Sequence, residues 1–308
     1  MSSFVTGVAL AALLLSYGSV NAVTVTPLRV GPDDEYDPCF SPGGQQILFC
    51  WNASLWNSLA LMSASGGTPT VVQLCPRSAK WPTWSPDGGT IVFVQEQLDG
   101  DVLRSIPSTG GTPTELTPHF GTIRHPSWSP DGTQVAFSAN YNGNYDIWLV
   151  PATGGSRVPL TTAASQEFDP TWSPDGNYIA FGSDRGANWE IYVQPVAGGA
   201  VREVTSMGGT NIEPAWSPDG NWIAFSRFTA VDAGIWVVPA SGGTPICLTC
   251  SGYFNEGTPN WSPDGKSIVF DRYSGGGQCT DVWIATGLNL GPTSVTETTW
   301  GRVKAMFR

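Results

Sequence analysis

Six residues stand at one place in a recurring pattern, each directly before a proline: Asp37, Trp81, His125, Asp169, Glu213 and Thr258. Three carboxylates, an imidazole, an indole and a hydroxyl brought to one axis could hold a peptide, a sugar or a cation, because they offer acceptors, a titratable ring and a stacking face. The same carboxylates with backbone carbonyls could also take Ca²⁺. A plainer reading is that each carboxylate caps the backbone of an adjacent loop. Lys80, Arg124, Glu167 and Glu256 flank these positions as neutralising partners or as a second polar layer.

What must position them is a repeat. Trp-Ser-Pro-Asp-Gly occurs at Trp84, Trp128, Trp172, Trp216 and Trp261, with a worn copy at Phe40, and its prolines fall at 42, 86, 130, 174, 218 and 263. The steps are therefore four of 44 residues and one of 45. In the third unit, "HPSW" enters a strand and "SPDG" is a turn, with Pro fixing φ and Gly free to take positive φ. "TQVAFSA" alternates as a second strand, "YDIWLVPA" is a third, and "SRVPLT" after the Gly154-Gly155 turn is a fourth. Four strands per unit, six times over, predict an all-β six-bladed β-propeller of four-stranded antiparallel blades. The segment Thr24–Val30 looks like a fourth strand placed before the first turn, so the N-terminal strand is expected to complete blade six and close the ring. Trp of each pentapeptide, with Phe93, Phe137, Phe181, Phe225 and Phe270, is expected to fill the space between blades.

Bulk composition agrees. There are 37 Gly and 25 Pro but only 13% charged residues, the make-up of a turn-dense β protein. A net charge of −11 repels phosphate backbones and anionic lipid, which argues against a nucleic-acid partner. The acidic cluster Asp33, Asp34, Glu35 and Asp37 reads as a solvated loop, with a cation site as the alternative.

Residues 1–22 read as a signal peptide, apolar from Val5 to Leu15 and ending Val20-Asn21-Ala22, although no Lys or Arg precedes the apolar run and an uncleaved anchor is the alternative. No other apolar run is long enough to span a membrane. Residues 23–286 are the propeller, and 287–308 are a tail in which Ser294 to Glu297 resembles a helix capping box. The six cysteines, Cys39, Cys50, Cys75, Cys247, Cys250 and Cys279, permit disulfides whose pairing the sequence leaves open. Cys247-Leu-Thr-Cys250 has redox or zinc half-motif spacing, but with no second such pair a structural role is expected.

The run from Phe168 to Thr205, and again from Glu213 to Thr249, resembles the WD40-like PD40 repeats of TolB-type propellers, and the resemblance extends over about residues 24–286. It is to the propeller part of that family, and no counterpart of TolB's N-terminal α/β domain is expected. The resemblance implies an exported propeller that binds another protein at the mouth of its channel. It also implies that the acidic positions before each first-strand proline lie at that mouth.

Enzymatic alternatives divide on motifs. No G-x-S-x-G elbow accompanies the repeats, which removes a prolyl-oligopeptidase-type hydrolase. A lactonase- or lyase-type propeller would need a channel metal, for which Asp37, His125, Asp169 and Glu213 are candidate ligands; the sequence has only two histidines, His119 and His125. Trp51, Trp56, Tyr141, Trp189 and Tyr253 fall in or near loops and are candidate anchors for a peptide or sugar.

The expected protein is therefore an exported, non-enzymatic interaction scaffold, periplasmic or secreted, with no membrane span after signal cleavage. Its partner, an envelope protein or peptide or alternatively a sugar, is expected at Asp37, Trp81, His125, Asp169, Glu213 and Thr258. No cofactor is expected, with Ca²⁺ left open. The competing expectation is a metal-assisted sugar- or lactone-processing enzyme.

Overall fold

The computed structural model describes residues 23–52, 57–73, 77–119, 121–250, 255–273 and 279–290. The signal peptide and the capping box of the tail lie outside the described residues, as do Trp56, Cys75 and Tyr253. The described chain folds into six four-stranded antiparallel sheets. Blade three is representative, with strands Ile123–Trp128, Gln134–Ala139, Asp146–Pro151 and Val158–Pro159 from the channel outward.

Each pentapeptide makes its turn by a small hydrogen-bond circuit. Ser129 Oγ donates to Asp131 at 2.6 Å, Asp131 accepts the Thr133 amide at 3.0 Å, and Ser129 Oγ accepts the Gln134 amide at 2.9 Å. Gly132, at φ 70°, closes the turn and lies against Pro86 of the preceding blade, where a Cβ would stand 3.8 Å from the proline ring. Gly44 packs in the same way on Pro263, so the turns stack into a closed circle. This explains why the worn first copy keeps Pro42 and a glycine while dispensing with the Asp.

The core is distributed between blades. Trp84, Ile91 and Phe93 of blade two form one cluster with Cys39, Leu48 and Leu59 of blade one. The indole nitrogens of Trp172 and Trp261 donate back to the Ser127 and Ala215 carbonyls of the preceding blades, at 3.2 and 3.1 Å. Trp84, Trp172, Trp216 and Trp261 are buried, while Trp128 is half-buried. Phe49, Phe93, Phe137, Phe181, Phe225 and Phe270 are fully buried.

In blades two to five the outermost strand pairs over only two residues. The threonine that follows supplies the missing acceptor: Thr117, Thr161, Thr205 and Thr249 accept the amides of Leu103, Ile147, Ile191 and Ile235 at 2.8–3.0 Å. A hydroxyl thus satisfies a buried N–H that a longer strand would have paired.

Closure follows the expected route, Thr24–Arg29 pairing antiparallel with Thr280–Thr286 to complete blade six. The acidic cluster is the seam of this closure and not a solvated loop. Glu35 is fully buried against Arg29 at 2.5 Å, Asp34 accepts the Thr280 amide at 2.9 Å, and Asp33 accepts the Trp51 indole N–H at 3.2 Å. Glu35 is shut away from water while Asp33 and Asp34 stay partly exposed, each acid with a donor elsewhere in the chain.

Cys247 and Cys250 are joined as a disulfide, whereas Cys39, Cys50 and Cys279 are free. Of the loop aromatics, Tyr141 packs edge-on against Phe137 and Trp148 beneath Arg157, and Trp189 stacks on Phe168 at 5.3 Å. Trp51 lies under Arg29 in the seam. All three serve packing in this structure.

Candidate functional site

The six pre-proline residues share one backbone state. Asp37, Trp81, His125, Asp169, Glu213 and Thr258 have φ of 55°, 51°, 43°, 59°, 56° and 48°, and they are the non-glycine residues with positive φ among those described. Two local causes meet there. The following proline disfavours the right-handed helical region, and the innermost strand carries a β-bulge, its register jumping from Arg124 to Ser127 opposite Phe137 in blade three and equivalently in every blade. Left-handed backbone at a residue with a side chain costs about 1–2 kcal/mol, so the surroundings must hold six such residues in place.

The bulge takes these amides out of their own ladder, and those of Asp37, Trp81, Asp169, Glu213 and Thr258 are directed to a neighbouring blade. Asp37 accepts the Trp81 amide at 3.2 Å, Asp169 accepts that of Glu213 at 3.2 Å, and Glu213 accepts that of Thr258 at 2.8 Å. Where the preceding blade carries His125 or Thr258 at the pre-proline position, a second-strand side chain substitutes. Ser138 Oγ accepts the Asp169 amide at 3.0 Å, and Asp271 accepts the Asp37 amide at 3.2 Å and the Thr258 hydroxyl at 2.7 Å. The carboxylates therefore do cap backbone, but the backbone of the next blade around the ring, not of an adjacent loop.

Asp271 is the member that sequence reasoning missed. It follows Phe270, at the place occupied by Cys50, Val94, Ser138, Gly182 and Ser226 in the other blades. A lone acid among small or apolar residues in that register was the available signal.

The ring encloses a cavity of about 140 Å³ lined, in every blade, by the pre-proline residue, its proline and the residue after it. That lining runs from the ring toward the Trp-Ser-Pro-Asp-Gly turns. The six residues thus sit inside the channel, midway along the innermost strands. His125 is ion-paired with Asp169 and lies 4.7 Å from the Trp81 ring, and the Lys80 ammonium lies 5.7 Å from that indole.

Burial dominates the electrostatics. It raises Asp37 to about 6, with His125 opposing and Asp271 adding to the shift, and it raises Glu213 to about 7 with the help of Asp169. Burial also raises Asp271, against the Thr258 and backbone hydrogen bonds. For His125 burial alone would favour the neutral ring, but Asp169, Asp37 and Glu213 together carry it up to about 9. An imidazolium therefore faces carboxylates of which Asp37, Glu213 and Asp271 are pushed by burial toward the neutral form.

The flanking residues form a separate polar layer that does not line the cavity. Lys80 pairs with Glu96 at 2.5 Å, Glu167 with Arg185 at 2.6 Å, and Glu256 with Arg272, while Arg124 lies over the rings of Tyr145 and Phe168. Among the described residues, no three His, Cys, Asp or Glu side chains are placed to hold a metal ion.

Known structures share the fold. A TolB candidate from Agrobacterium tumefaciens aligns at 23% identity and a TM-score of 0.69 over 87% of this chain and 99% of that one. TolB from Acinetobacter baumannii aligns at 20% identity and a TM-score of 0.62 over 70% of this chain, which spans 54% of that protein. An oligogalacturonate lyase in complex with manganese aligns at 17% identity and a TM-score of 0.57 over 93% of this chain and the whole of the other. No curated protein matches the chain. The TolB beta propeller domain model, PD40, matches residues 111–300. With that match over more than half the sequence, and six blades built on the repeat it describes, the chain belongs to the PD40 family of TolB beta-propeller domains.

Proposed function

We propose that the chain is a non-enzymatic scaffold, exported to the cell envelope, whose channel ring receives a positively charged segment of a partner protein or peptide. The observation that carries this reading is the imbalance around the cavity. Asp37, Asp169 and Glu213 line it with one imidazole, Asp271 stands behind them on Thr258 and the Asp37 amide, and burial has already pushed Asp37 and Glu213 toward the neutral form. A cationic group entering the ring would favour the charged carboxylates and draw their protons off. Membership in a TolB propeller family supports a binding role over a catalytic one, and the rigid six-fold frame suits a site that selects without reacting.

The test is calorimetry at pH 6.5 on the chain from Val23 onward, with short peptides rich in lysine and arginine and matched acidic peptides. Runs in two buffers of different ionisation enthalpy count the protons released. Basic peptides should bind with proton release, and a variant carrying Asp37→Asn, Glu213→Gln and Asp271→Asn, which keeps the amide acceptors, should lose at least about tenfold in affinity, a difference of 1.4 kcal/mol. Equal binding of both peptide classes, or full affinity in the variant, sinks the proposal. Uptake of Ca²⁺ or Mn²⁺ abolished by the same substitutions would move the metal-assisted enzyme ahead of it.

A further inference from the structure

We propose that the Cys247–Cys250 disulfide is a redox-exchange site, open to an external dithiol in the folded protein, whose state sets how firmly the outer edge of blade five is clasped to blade six. The pair brackets the threonine latch. Leu248 donates its amide to Ile235 at 2.9 Å, and Thr249 Oγ accepts the Ile235 amide at 2.8 Å. Thr249 also bonds the carboxylate of Glu256, which is fully buried and ion-paired with Arg272. Glu256 belongs to the innermost strand of blade six, Asn255–Trp261, which carries Thr258 into the channel ring. One short segment thus ties the edge of one blade to the inner strand of the next.

The same threonine-to-amide bond is made in blades two, three and four without cysteines, where Glu115 and Pro118, Pro159 and Thr162, and Glu203 and Ser206 stand at the flanking positions, and in blades three and four the hydroxyl meets Asp146 and Glu190 of its own blade. The fold therefore does not need the bond. Blade five is nevertheless fitted to it. Gly234 opens the third strand where blades two, three and four have Val102, Asp146 and Glu190. A Cβ on Gly234 would stand 3.4 Å from the backbone of Cys250 and 3.1 Å from Thr249 Oγ. The glycine makes room for the turn that brings Cys250 back to Cys247.

A disulfide closing so short a loop removes little entropy from the unfolded chain, so its effect is local. Cys250 is exposed and Cys247 half-buried, which fixes the order of attack. A thiolate of the external dithiol attacks Cys250 Sγ, the bond to Cys247 breaks, and Cys247 leaves as a thiolate that takes up a proton. The second thiol of the reductant then attacks the mixed disulfide, freeing Cys250 and leaving the reductant as a disulfide, with two electrons and two protons transferred. Cys39 and Cys50 are buried, with thiols that burial holds in the protonated form, and take no part.

The experiment treats the folded chain with dithiothreitol, quenches with acid, alkylates, and maps the labels by mass spectrometry, with amide hydrogen exchange measured before and after. Cys247 and Cys250 should label without denaturant while Cys39 and Cys50 do not. Exchange at Ile235, Leu248 and the 255–258 segment should accelerate about tenfold or more and return on reoxidation. A Cys247→Ser, Cys250→Ser protein should match the reduced state, and Thr249→Val should exchange fast in either redox state. Labelling of Cys247 and Cys250 only after unfolding, or reduction with unchanged exchange, overturns the proposal.

Discussion

Asp169 uses both carboxylate oxygens, one on His125 and the other on the Glu213 amide, and Glu213 passes the arrangement on to Thr258. The cost lies in the charge and not in the hydrogen bond, because glutamine offers the same acceptor without a buried anion. Glu213 has its pKa raised to about 7 in the folded chain, by burial first and Asp169 second. A carboxyl whose folded pKa is raised contributes stability that is full below its unfolded value near 4.5 and is lost as pH rises through about 7. Glu213→Gln should therefore be more stable than the parent by about 1–2 kcal/mol at pH 8 and nearly equal to it at pH 4.5. Urea unfolding at the two pH values measures this, and a stabilisation independent of pH would show that the charge is not the cause. His125 runs the opposite way in chemistry but the same way in pH, its contribution being present below 6.5 and lost through about 9. At this scale the sequence was informative about which residues meet and silent about how. None of the six pre-proline residues is a glycine or asparagine, so nothing in their types announced a left-handed backbone. Asp271 was hidden because its role depends on Thr258 lacking a carboxylate two strands' worth of sequence away.

At the scale of the element, the blade was legible because its turns are set by residues with strong local preferences. Pro, Asp and Gly of each pentapeptide act within five residues of one another, and the buried phenylalanines keep step with them. The outermost strand was legible only as a length of chain. Its pairing in blades two to five covers two residues, and the threonine that completes it acts on an amide some 14 residues away in sequence. Thr161→Val tests that reading with almost no change of shape. It leaves the Ile147 amide buried without its acceptor and should destabilise by about 1–3 kcal/mol, while Thr161→Ser, which keeps the hydroxyl, should cost about 1 kcal/mol or less. Chemical denaturation of both variants decides the matter, and equal losses would assign Thr161 to packing alone. The same logic accounts for the buried acids of the flanking layer. Glu167 and Glu256 read in sequence as neutralising partners or a second polar layer beside the ring, and only the sheet geometry brings Arg185 and Arg272 against them.

For the whole molecule the seam is the point of greatest consequence, because a propeller is continuous everywhere except where its two ends meet. Arg29, on the closing strand of blade six, lies over Trp51 and pairs with Glu35 of blade one, whose carboxylate is fully buried. Burial raises the pKa of Glu35 even with Arg29 opposing it, so the pair is poised such that loss of the arginine leaves a stranded anion. Arg29→Met keeps much of the stem that covers Trp51 and removes only the charge. It should destabilise by about 3 kcal/mol at pH 8, as breaking a buried pair does. The loss should shrink toward pH 5, because Glu35 without its partner takes up a proton more readily still. Adding Glu35→Gln should return most of the loss at pH 8, since the burden is the unpaired charge. Fluorescence of a thiol dye on Cys279, whose sulfur donates to the Pro32 carbonyl across the seam, in a Cys75→Ser background, and far-ultraviolet circular dichroism, which sees all six blades, should report the same unfolding midpoint. If fluorescence changes well before the sheet signal, the seam opens without unfolding the ring, and closure is a local clasp instead of the condition on which the six blades stand together.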